Sequence, residues 1–116
     1  NLRPGIKLLE DRPGTGPAVE RQRTYVMRFR IRLSRGDIVR FSGAQNNEDD
    51  GFHTLAATVN RESLIGGIFQ TIDGMKVGGF RKVMISPHLA YGEFGVPGTI
   101  PPNARLTVEI EILHPG

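Results

Sequence analysis

Apolar and polar positions alternate most cleanly over residues 24–33. Tyr25, Met27, Phe29, Ile31 and Leu33 fall on one side, with Val26, Arg28, Arg30 and Arg32 on the other. A period of two over this length predicts a half-buried strand with the apolar row inward. The same period returns near the end of the chain, where Leu106, Val108, Ile110 and Ile112 alternate with Thr107, Glu109 and Glu111. Shorter extended stretches are read at residues 6–10, 38–41, 55–59 and 78–86. Helical spacing occurs within residues 64–75, where Leu64, Ile65, Ile68, Phe69 and Ile72 follow Ser63 as the expected N-cap. Gly66 and Gly67 weaken that helix and predict a short one. Residues 42–53 are polar, with Gly43 and Gly51, and read as an exposed loop. The sum is an α+β fold: four to six antiparallel strands with one short helix on one face of the sheet.

Composition narrows the picture. The chain has 116 residues, enough for one domain over 1–116, with 1–4 as a flexible start. It has no cysteine, which excludes disulfides, Cys-based zinc sites and thiol nucleophiles. No apolar run approaches the roughly 18 residues of a membrane span, so a soluble domain is expected. The chain starts at Asn1 rather than Met, as a processed or trimmed chain does, and a cytoplasmic or a periplasmic address both fit.

The net charge of +3 is unevenly placed, with seven arginines and one acid between residues 21 and 40 and then the run Glu48-Asp49-Asp50. The ladder Arg28, Arg30, Arg32 could meet phosphates. It lacks the interleaved exposed aromatics that stack bases, so pairing across strands with Glu109 and Glu111 is the favoured reading and nucleic acid is not an expected partner. His53 follows Asp49 and Asp50 closely, but His88 and His114 are remote in sequence, and no metal is expected. No phosphate-binding loop occurs, and no local motif supplies Ser63 with an activating histidine.

The segment 86–104, SPHLAYGEFGVPGTIPPNA, holds four of the eight prolines together with Leu89, Tyr91, Phe94, Val96 and Ile100. Loops this long in compact domains are usually functional or disordered. The prolines lower the entropy lost on ordering, and the apolar residues give the loop something to pack. An ordered loop over the sheet would make a shallow apolar cleft, with the Tyr91 hydroxyl at its edge.

With Gly74-Met75-Lys76-Val77-Gly78-Gly79, Ile85-Ser86-Pro87, Leu89-Ala90-Tyr91-Gly92, Ile100-Pro101-Pro102-Asn103-Ala104 and Glu109-Ile110-Glu111-Ile112-Leu113 on the page, the chain resembles the FKBP-type peptidyl-prolyl cis–trans isomerases, as a divergent, bacterial-like member. The resemblance implies a curved antiparallel sheet wrapped around one short helix. It implies rotation about X–Pro bonds of protein chains, a reaction that makes and breaks no covalent bond and needs no cofactor.

By the same resemblance Tyr91 offers its hydroxyl to the bound chain and Ile65 its backbone N–H, with Leu64 beside it. Phe29, Leu55 and Val108 line the cleft from the strands, and Val96 and Ile100 border it from the loop. The cleft floor, a tryptophan in typical members, is Ile68 here, and the tyrosine expected at Phe29 has lost its hydroxyl. Val39 and Arg40 stand where a Phe-Asp pair is usual, or a shift of one position puts Phe41 in the aromatic slot. Proline-containing polypeptides are the expected partners, with a macrolide ligand of weakened affinity. The alternative implied by these changes is a peptide-binding or chaperone module with weak or lost catalysis.

Overall fold

The computed structural model describes residues 5–33, 36, 38–39, 51–61, 64–97 and 100–116. Within them are β1 (Ile6–Arg12), β2 (Thr24–Leu33), β3 (His53–Thr58), α1 (Gly66–Ile72), β4 (Phe80–Ile85) and β5 (Leu106–Pro115), with one 3-10 turn at Pro87–Leu89. The strands form one antiparallel sheet in the order β1-β4-β5-β2-β3. Residues 1–4, Ser63, Arg40, Phe41 and the run Glu48-Asp49-Asp50 lie outside the described residues.

The two alternating segments become β2 and β5, which pair with each other and set the two faces of the sheet. On the inner face Tyr25, Met27 and Ile31 are buried with Leu106, Val108, Ile110 and Ile112, and Val83 and Ile85 of β4 join them. On the outer face Arg28 stands opposite Glu111 and Arg30 opposite Glu109. Arg30 grips both Glu109 carboxylate oxygens through one guanidinium edge, Nε and Nη2, at 2.8 and 3.0 Å, and Arg32 approaches the same carboxylate at 3.8 Å. The arginine ladder is thus paired across strands, as its phase against β5 predicts.

Residues 42–53 do not end as an exposed loop. Phe52 and His53 are buried, and His53 already belongs to β3. The guanidinium carbons of Arg28 and Arg30 lie 3.8 and 4.3 Å from the centre of the Phe52 ring, so two cations cover one aromatic on the outer face.

The helix is shorter than its apolar periodicity, seven residues, and its N-cap is Ile65 rather than Ser63, with no side-chain cap bond. A helix this short is not stable alone. It is held because its buried side, Gly66, Gly67, Ile68, Thr71 and Ile72, lies on the sheet. A Cβ on Gly67 would stand 2.5 Å from Cγ2 of Ile85. Gly67 therefore sets how closely the helix lies on β4, a role that propensity alone does not disclose. At the other end Arg81 reaches up from the inner face of β4 and donates to the Thr71 carbonyl at 2.6 Å. A cation there satisfies a terminal carbonyl and opposes the negative end of the helix dipole.

Gly67→Ala measures this packing directly. Helix propensity favours the substitution by about 1 kcal/mol, whereas overpacking a closed interface costs about 1–3 kcal/mol. The expected result is a net loss of stability and a melting midpoint lower by several degrees in a thermal unfolding scan; a raised midpoint would show the interface to be slack.

Candidate functional site

The loop between β4 and β5 is ordered by its own backbone. Leu89 N–H bonds to the Ser86 carbonyl and Ala90 N–H to that of Pro87, closing the 3-10 turn; Gly92 N–H returns to Pro87 at 2.8 Å. Further on, Gly95 N–H bonds to the Tyr91 carbonyl, and Val96 and Ile100 exchange two bonds of 2.8 Å. Asn103 N–H then bonds to Gly92, tying the IPPNA stretch to the start of the loop. Gly95 has φ +63° and lies so near the Ile100 carbonyl that a Cβ would sit 2.3 Å from its oxygen. Only glycine fits both the backbone angle and the space.

This frame turns apolar loop residues onto the sheet. Ile100 is buried in the core, and Leu89, Ala90, Tyr91 and Val96 pack against it half-buried. Phe94 does not pack as expected. It occupies the apex between Gly92 and Gly95, both at positive φ, and is 80% exposed.

The structure gathers most of the residues singled out in the sequence around a single apolar centre. Ile68, Val39, Ile100 and Val108 are buried in the core, and Phe29, Leu64, Ile65, Tyr91 and Val96 pack half-buried on its margin. Two expectations change. Val108 has no accessible surface, so it supports the floor from beneath instead of lining an open cleft. Leu55 faces the same side as its partner Met27 but lies on the edge strand β3, is 39% exposed and is not part of the core cluster. Phe41 lies outside the described residues, whereas Val39 is fixed, its N–H bonding to the Ile31 carbonyl at 2.8 Å.

The polar groups at the margin are few. Burial pushes the Tyr91 phenol above its ordinary pKa, so it stays protonated. Its hydroxyl has no hydrogen-bond partner among the described residues, unlike that of Tyr25, which accepts from the Glu20 N–H at 2.9 Å. The Ile65 N–H is likewise unspent among the described residues, because Ile65 is extended (φ −63°, ψ 156°) and precedes the helical ladder. Phe29 makes a tilted ring contact with His53 at 5.7 Å. Such a site holds two neutral donors on an apolar base. Neutral donors of this kind supply no nucleophile but can hydrogen-bond carbonyl groups.

Two features escaped the sequence reading. Arg81 sits in the inward phase of β4 with Val83 and Ile85, and a charge at an inward position was the signal that it must meet a buried acceptor. Arg61, just before the helix, donates to the Leu64 carbonyl at 2.6 Å; nothing in the local pattern marks it.

Comparison with known proteins identifies relatives of the same fold. The family described as FKBP-type peptidyl-prolyl cis-trans isomerase matches residues 18–113. FK506-binding protein 4 of Aspergillus fumigatus is 33% identical over 110 residues, covering 95% of this chain and 21% of that protein. Peptidyl-prolyl cis-trans isomerase FPR2 of Saccharomyces cerevisiae is 50% identical over 50 residues, 43% of this chain and 37% of that one. The crystal structure of FkpA from Escherichia coli shares the fold with a TM-score of 0.73 at 30% identity, over 95% of this chain and 46% of that chain. The chain spans about a fifth of the first relative's length and under half of the FkpA chain. The sheet order, the short helix laid on it and the span of the family match together make this chain a member of the FKBP-type peptidyl-prolyl cis-trans isomerase family.

Proposed function

We propose that this domain binds proline-bearing polypeptide segments over Ile68 and accelerates rotation about their X–Pro bonds. The observation that carries the reading is a pair of donors without a partner among the described residues, the Tyr91 hydroxyl and the Ile65 N–H, on the margin of one apolar cluster.

The chemistry follows from the amide. Its rotational barrier of about 18–20 kcal/mol is resonance, and a twisted amide has lost resonance and carries a less polar carbonyl. An apolar surface at Ile68, backed by the buried Val39 and Ile100, disfavours the planar, strongly dipolar form more than the twisted one. The Ile65 N–H and Tyr91 O–H hold neighbouring carbonyls of the bound chain so that the ends turn about the bond between them. An acceleration of 10⁴–10⁶ needs only about 5–8 kcal/mol, which burial and two hydrogen bonds can supply without nucleophile or metal.

The names of the relatives refer to FK506 binding. For this chain we infer weaker macrolide binding, because Ile68 gives a smaller flat surface than the indole of typical members. The departures at Ile68 and Phe29, with Phe94 exposed on the loop that carries Tyr91, also favour a second reading in which the domain holds unfolded chains and turns them slowly. The readings separate in one experiment: NMR exchange on an X–Pro peptide with rising domain concentration. Acceleration supports the isomerase; binding with an unchanged exchange rate leaves only the holding module.

Three outcomes are expected. Tyr91→Phe lowers kcat/KM about three- to tenfold, the effect of one neutral donor, while the unfolding midpoint hardly moves; a variant that fails to fold would make the tyrosine structural. With the phenol pKa raised by burial, the donor form persists past the ordinary value of about 10. The wild-type rate is therefore flat over about pH 6–9, and a fall within that range that disappears in Tyr91→Phe would contradict the assignment. Ile68→Trp, read by the same exchange assay, raises activity and macrolide affinity while lowering stability by about 1–3 kcal/mol through overpacking. Unchanged activity in a folded variant would show that the bound chain does not rest on this position.

A further inference from the structure

We propose that Arg61 is a positioning residue: it fixes and polarises the peptide unit that presents the Ile65 N–H to the bound chain. The inference rests on the isomerase reading and deepens it. The Leu64 carbonyl and the Ile65 N–H are the two ends of one planar amide. Arg61 donates from Nη1 to the carbonyl end at 2.6 Å, a short bond with a permanently charged donor. A cation on the oxygen draws electron density out of the amide and makes the N–H at the other end a stronger donor.

The same bond fixes direction. Ile65 is extended and stands before the helix, so no intrahelical bond aims its N–H. The preceding turn is closed by Leu64 N–H on the Asn60 carbonyl at 3.1 Å, which holds the near side of Leu64 and leaves the Leu64–Ile65 plane to Arg61. The guanidinium is itself seated. It lies over Gly66, its Cζ 3.7 Å from where a Cβ would stand, so a side chain at Gly66 would crowd it. Arg61 therefore rests on the first residue of the helix while it holds the carbonyl before Ile65. Without it the amide plane can rock about the Leu64 and Ile65 dihedrals, and the donor meets the rotating chain less often in line.

The test compares wild type, Arg61→Ala and Arg61→Lys in an NMR exchange assay on an X–Pro peptide, together with the ¹H and ¹⁵N shifts of the Ile65 amide in the free proteins. Arg61 is exposed at the surface, so the bond is partly screened and the expected loss in kcat/KM for Arg61→Ala is roughly two- to fivefold. The Ile65 amide proton moves upfield as its polarisation falls, and the unfolding midpoint stays within about a degree or two. Arg61→Lys restores part of both, since an ammonium supplies charge but not the planar fork. An active wild type with an unchanged rate in Arg61→Ala overturns this proposal alone, as does a lower rate with an unmoved Ile65 amide. A wild type no faster than the uncatalysed peptide overturns the isomerase reading, and the positioning role falls with it.

Discussion

Everything about the site depends on how closely the helix lies on the sheet. The contact is between a backbone position without a side chain, Gly67, and the branched end of Ile85. A Cβ there would push the helix off β4 or displace a residue that has no exposed surface. Because the helix lies this low, Ile68 and Ile72 join the core formed by the inner faces of β2, β4 and β5. The helix entrance then comes to the level where the loop residues Leu89 and Tyr91 pack. Arg81, holding the far end at the Thr71 carbonyl, prevents the short helix from lifting or fraying. A seven-residue helix has little stability of its own, so its position on the sheet comes from these tertiary contacts.

The loop uses the same device in another setting. Gly95 lets the strand-like pair Val96 and Ile100 close against the turn that begins at Tyr91. Backbone bonds then do for the loop what packing does for the helix: they fix a polar group at the edge of an apolar surface, where it has no partner among the described residues. A phenol or amide N–H left without a partner at a half-dry margin carries a desolvation cost. Under the proposed function that cost is recovered when a chain with carbonyl groups arrives.

The two faces of the sheet explain why the charged and apolar halves of β2 have unrelated jobs. Outward, Arg28, Arg30 and Arg32 are engaged with Glu109, Glu111 and the Phe52 ring. Inward, one residue away at each step, Met27, Phe29 and Ile31 build the core and its margin. The arginines of this strand are thus spent on the outer face, away from the apolar core.

What the sequence alone determined is the part controlled by short-range periodicity and by motif. Alternation over 24–33 and 106–112 fixed two strands, their faces and the cross-strand pairing of arginine with glutamate, because side chains on a strand have only two directions. The AYG and IPPNA stretches pointed to Tyr91 and Ile100 through resemblance. Tertiary structure decided whatever depends on distance between segments far apart in the chain. It assigned the N-cap to Ile65 instead of Ser63 and buried Phe52 under two arginines. It left Phe94 exposed and Leu55 on the edge strand, and it sealed Val108 in the core. It also turned Gly67 from a weakness in a helix into a tight helix–sheet contact. Propensity and periodicity describe a residue's neighbours in sequence, and each of these outcomes was set by a neighbour in space.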